Sequence, residues 1–106
     1  MTIIIHHETG EVLQIDLVSL EGADLRGYSF HRAMLNGHML RGVNMQGCDL
    51  RGIFFSGAIL SGAQLCGSGI IDGLLRGAVL DSADMSNCRL MFSDFSGSIL
   101  TMASLN

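Results

Sequence analysis

From Leu20 to the end of the chain, every fifth residue is large and apolar: Leu20, Leu25, Phe30, Leu35, Leu40, Met45, Leu50, Phe55, Leu60, Leu65, Ile70, Leu75, Leu80, Met85, Leu90, Phe95, Leu100 and Leu105. No insertion breaks the series. A period of five fits neither the 3.6-residue turn of an α-helix nor the two-residue alternation of a long strand. Two residues before each centre the side chain is mostly small, as at Ala33, Cys48, Ala58, Ser68, Ala78 and Ala103. Two residues after it, Gly dominates, as at Gly22, Gly42, Gly57, Gly77 and Gly97. The pattern predicts a short extended piece whose first and third residues face inward, followed by a turn in which Gly relieves backbone strain. Repetition of that unit coils the chain.

Units such as Ala23-Asp24-Leu25-Arg26-Gly27, Cys48-Asp49-Leu50-Arg51-Gly52 and Ala83-Asp84-Met85-Ser86-Asn87 resemble the A(D/N)LXX repeats of the pentapeptide-repeat family. The resemblance runs without a gap over about 85% of the chain. It implies an all-β fold, a right-handed quadrilateral β-helix with four pentads per coil. Residues 18–106 are expected to form that helix. The first residues resemble an N-terminal segment of some bacterial members, with Glu8-Thr9-Gly10-Glu11 as a turn between Ile3-Ile4-Ile5 and Val12-Leu13-Gln14-Ile15, which implies that residues 1–17 form a hairpin cap over the edge of the first coil.

Four pentads per coil stack residues twenty apart, which sorts the chain into four faces. The residue just before each centre must point outward by strand alternation. On the Leu25 face these residues are Asp24, Asn44, Gln64, Asp84 and Ser104, a polar, solvated column. On the Leu40 face they are Met39, Ile59, Val79 and Ile99, and on the adjoining Leu35 face Met34, Phe54, Leu74 and Asp94. These seven apolar side chains would expose on the order of 400 Å², the size of the largest patch on an ordinary monomer. β-branched and aromatic residues also suit strands in general, but the opposite faces are polar. The columns are therefore the candidate protein-contact surface, for a second copy or for another protein, and the uninterrupted Leu40 column is the better one.

Composition narrows the remaining possibilities. The chain has 106 residues, 48% of them hydrophobic, with 14 Gly and no Pro or Trp, which describes one folded domain and not a disordered tail. The net charge of −4 is mild and offers no basic patch for a phosphate backbone, so nucleic-acid binding is not expected. No apolar run is long enough to cross a membrane, and the start lacks a signal-peptide pattern, so the expected location is the cytoplasm, in a bacterial or phage-borne setting. Cys48, Cys66 and Cys88 lack metal-ligand spacing, and Cys48 and Cys88 fall two coils apart in one inward ladder, about 10 Å, beyond disulfide reach. Cys66 should point outward. His6 and His7 are adjacent on a strand and point to opposite sides. Tyr28 and His38 occupy inward positions that prefer Ala, which predicts a widened first coil.

With the core filled by side chains, no nucleophile, phosphate-loop or metal motif appears, and neither an enzyme nor a cofactor is expected. Some pentapeptide-repeat proteins mimic duplex DNA and bind DNA gyrase or topoisomerase. The resemblance thus raises a DNA-mimicking modulator as the alternative. Such a mimic needs a strong, regular negative field, whereas eight acidic residues from Asp16 onward face six Arg. The chain also ends within the repeat, at Leu105-Asn106, which leaves the last coil's edge open to association.

Overall fold

A computed structural model describes residues 2–106; Met1, the first residue of the expected cap, lies outside them. Its ordered strands are β1 (Ile3–His6) and β2 (Val12–Ile15), paired antiparallel with Ile3 opposite Ile15 and His6 opposite Val12. Everything after them is a succession of one-residue rungs and two-residue turns. The rungs are parallel and link residues twenty apart: Asp24 with Asn44, Met39 with Ile59, Ile59 with Val79, Val79 with Ile99. The fold is a right-handed quadrilateral β-helix.

The bonding follows from the alternation. The N–H of Leu40 donates to the Ile59 carbonyl at 2.8 Å, and the N–H of Ile59 donates back to the His38 carbonyl at 2.9 Å. At each corner the chain turns through two residues, closed by bonds such as Val43 N–H to the Leu40 carbonyl at 3.2 Å. The second turn residue adopts positive φ, for example 68° at Gly77, which costs Gly nothing and an L-residue strain. Six positions carry that conformation without Gly: Arg32, Asp72, Ser82, Asn87, Phe92 and Met102.

Inside, the predicted ladders form the core as far as Met85, while Leu90, Phe95 and Leu100 in the last coil are only partly buried and Leu105 is exposed. Leu40, Leu60 and Leu80, then Leu25, Met45 and Leu65, Phe30, Leu50 and Ile70, and Leu35, Phe55 and Leu75 are fully enclosed. Small polar residues in the second inward position use the carbonyls of the coil below. Ser68 Oγ donates to the Met45 carbonyl at 2.7 Å and Cys88 Sγ to the Leu65 carbonyl at 2.9 Å. Burial pushes the thiol pKa of Cys48 and Cys88 up, and the cysteines are free thiols.

The hairpin seats on the first coil. Met34 N–H donates to the His6 carbonyl at 2.8 Å and Glu8 N–H to the Arg32 carbonyl at 2.9 Å. Arg32 also pairs with the Glu8 carboxylate. His7 turns inward, its Nε2 at 3.0 Å from the Ser29 carbonyl and its Nδ1 at 3.2 Å from the Glu11 carbonyl. Ile5 and Ile15 close the end of the core.

The expected widening of the first coil is local to Tyr28. That ring is too large for its inward position and stays partly exposed, edge-on to Phe30 at 6.3 Å. Around it the Tyr28 N–H to Leu25 carbonyl bond lengthens to 3.4 Å. His38 does not widen its coil. It lies half-buried with Nδ1 at 3.2 Å from the Asn36 carbonyl, and the next rung, Met39 to Ile59, is regular.

Candidate protein-contact surface

Every one of the seven predicted contact residues points outward. Met34, Phe54 and Leu74 stack in one column of rungs that ends at Asp94, and Met39, Ile59, Val79 and Ile99 stack in the next. The ends of the second column are the more open, Met39 and Ile99 each at 49% exposure, with Ile59 and Val79 half-buried between them. The corner between the two faces holds Gly37, Gly57, Gly77 and Gly97, so its second turn residue carries no side chain in any coil. The other turn position there is filled by Asn36, Ser56, Arg76 and Ser96, which fringe the Leu40 face on one side. Arg41, Ser61, Asp81 and Thr101 fringe it on the other.

Where the outward residue of a polar face is Asp or Asn, it also closes a turn. Asp24 Oδ1 accepts the Arg26 N–H at 3.2 Å, Asn44 the Gln46 N–H at 3.2 Å, Asp49 the Arg51 N–H at 3.2 Å and Asp84 the Ser86 N–H at 3.0 Å. Each is an Asx turn, in which the side chain closes the corner that follows it. The charged members are set by the same contacts. Hydrogen bonding from the Arg26 guanidinium lowers the Asp24 pKa to about 2. Arg51 likewise lowers that of Asp49, and the Ser86 and Ser96 hydroxyls those of Asp84 and Asp94.

An aliphatic side chain makes no such bond. At Met39, Ile59 and Val79 the chain forgoes a turn-closing interaction of about 0.5–1.5 kcal/mol and exposes apolar surface instead. Reading Asp24, Asn44 and Asp84 only as a solvated face misses this role. The signal for it was the Asp or Asn directly before the centre, two residues ahead of the amide it caps.

Five of the ten acidic side chains pair with arginines, Glu8 with Arg32 among them. Asp24 pairs with Arg26 and Asp49 with Arg51, each at 2.8 Å, while Glu21 with Arg41 and Asp94 with Arg76 make looser contacts at 3.8 Å. Among the described residues there is no cavity, no cluster of side chains with the makings of a metal site, and no helix long and apolar enough to cross a membrane.

Comparison with known proteins agrees with this geometry. A pentapeptide repeat protein from the cyanobacterium Cyanothece 51142 superposes with a TM-score of 0.54 at 18% identity, over 83% of this chain and 88% of that one. HetL of Nostoc sp. strain PCC 7120, described as involved in heterocyst differentiation regulation, aligns at 27% identity and a TM-score of 0.40. That alignment covers 80% of this chain and 44% of HetL. No curated protein matches the chain. The family description "Pentapeptide repeats" matches in 8 copies across residues 18–47, 40–68 and 74–106, and the chain belongs to the pentapeptide-repeat family.

Proposed function

We propose that this chain is a non-enzymatic interaction module of the cytoplasm, which works by presenting the Met39, Ile59, Val79, Ile99 column, with Met34, Phe54 and Leu74 beside it, to a protein surface, and that it self-associates there. One observation carries the reading. Positions that close turns with Asp or Asn on the polar faces are given over to apolar side chains on two adjoining faces. That exchange gives up hydrogen bonds and exposes about 400 Å² of apolar surface, and only a partner offsets both. The alternative of a DNA mimic finds less support. Its field requires unpaired, regularly spaced carboxylates, and Arg26, Arg51, Arg32, Arg41 and Arg76 lie against five of the acidic side chains.

The test compares one charge on each kind of face by gel filtration with light scattering. Ile59→Asp on the Leu40 face should reduce association while circular dichroism stays native. Gln64→Asp on the polar Leu25 face should leave association unchanged. Equal behaviour of the two variants would refute the assignment of the surface.

A further inference from the structure

We infer that the partner on the Leu40 face is a second copy of the chain, and that the two rods lie side by side and parallel. This rests on the reading that the face is the self-association surface, and adds how the two copies are aligned. Two flat sheets packed about 10 Å apart across a two-fold axis admit two simple arrangements. With the axis along the rods, the two rods are parallel, each rung meets its own counterpart, and one fringe of the face meets the opposite fringe of the other copy. With the axis along the strands, the rods are antiparallel and each fringe meets itself with the coils in reverse order.

The fringe residues distinguish the two. Arg76 and Asp81 bracket the Val79 rung, one on each side of the face. In the parallel pair, Arg76 comes opposite Asp81 of the partner subunit, and the symmetry makes the contact twice. The other fringe partners are uncharged or singly charged: Ser56 with Ser61, Ser96 with Thr101, Asn36 with Arg41. In the antiparallel pair Arg76 meets Ser56 and Asp81 meets Ser61, and no ion pair forms. Arg76 is open to such a contact, and Asp81, half-buried, keeps one carboxylate oxygen for it. Arg76 is 68% exposed and touches Asp94 only at 3.8 Å. Asp81 receives the Ser61 hydroxyl on Oδ1, at 2.5 Å, and keeps Oδ2 for a second donor.

The adjoining Leu35 face does not pair with itself in the same way. Its column ends at Asp94, which would face its own copy in a parallel pair and Met34 in an antiparallel one. The first brings like charges together and the second strips water from a carboxylate against a thioether, so both disfavour pairing there. The Leu40 face is thus the self-complementary one. A contact of this size buries on the order of 1,000 Å² in total, at the weak end of specific interfaces, so the dimer should dissociate in the micromolar range or above.

Charge exchange tests the alignment. Arg76→Asp and Asp81→Arg should each weaken dimerisation by about tenfold through like-charge contacts, and the double variant Arg76→Asp/Asp81→Arg should recover most of it. A geometric test uses Ile99→Cys in a Cys66→Ser background with a bismaleimide of about 10 Å reach. Parallel rods place the two introduced thiols about one sheet spacing apart, and antiparallel rods about 17 Å apart. Rescue by the double exchange together with Ile99 cross-linking is the expected result. If Ile59→Asp dissociates the dimer while the charge exchanges have no effect and Ile99→Cys fails to cross-link, the parallel alignment is overturned and the contact surface stands. If the wild type does not dimerise, the second copy is excluded as occupant.

Discussion

Phe92 holds the positive-φ turn conformation that Gly52 adopts without strain two coils earlier, and replacing it by Gly should stabilise the protein. Its φ is 62° and the side chain is 80% exposed. The left-handed conformation costs an L-residue about 1–2 kcal/mol. Gly removes that strain but loses about 0.5–1 kcal/mol more to the freedom of the unfolded chain. Burial contributes little on either side, because unfolded chains already hide part of each side chain, roughly 10–40%. The net expectation for Phe92→Gly is a gain of about 0.5–1 kcal/mol. Ser82→Gly, with φ 59° in an inner coil, should share its sign. The converse is Gly57→Ala, where φ is 70° and an added Cβ meets nothing within 4 Å, so that backbone strain alone acts; it should cost about 1 kcal/mol. Urea midpoints followed by circular dichroism measure all three, with unchanged slopes as the control. A loss of stability in both Phe92→Gly and Ser82→Gly would show that the non-glycine turns are not strained, and would refute the reasoning.

Three further outcomes follow from the inward and outward registers. Leu60→Ala, in a fully enclosed ladder, should cost about 2–5 kcal/mol, whereas Ile59→Ser one residue away should change monomer stability by no more than about 0.5 kcal/mol; thermal or urea melts at low protein concentration decide. The Asp24 carboxyl titrates at about 2 against 3.8 for the free group, and a carboxyl whose folded pKa is lowered stabilises above its unfolded pKa and loses that contribution as pH falls through the folded one. Stability should therefore decline between about pH 4 and pH 2, less steeply in Asp24→Ala, as melts across that range would show. Finally, with half of its ten carboxylates paired with arginines and a net charge of only −4, the protein should leave gyrase-driven DNA supercoiling unchanged in a gel assay.

Much of this molecule is legible in its sequence because a solenoid repeats one local rule. The five-residue spacing of Leu40, Met45, Leu50 and Phe55 gives the ladders, and the twenty-residue stacking gives the faces on which Ile59 and Phe54 point outward. The hairpin was expected because the first residues, with Thr9-Gly10 in the turn between two aliphatic runs, resemble an N-terminal segment of some family members, and the β1–β2 pairing bears it out. Contacts that depend on where the hairpin meets the coil were not. His7 reaching the Ser29 and Glu11 carbonyls is set by the approach of residues far apart in sequence. The difference between Tyr28 and His38 was also hidden. Both break the small-residue rule, but the imidazole finds a carbonyl of its own turn, and the phenol has to distort its corner. At the candidate contact surface the columns were visible, and an Asp or Asn directly before a centre was the available sign of the turn-closing bonds that Asp24, Asn44 and Asp49 make.

Sedimentation equilibrium of the wild-type chain over about 1 µM to 1 mM tests the central claim most directly, because self-association through an exposed apolar face must follow mass action. The account predicts a weight-average mass that rises from 11.3 kDa toward twice that value. A mass of 11.3 kDa at every concentration would contradict it.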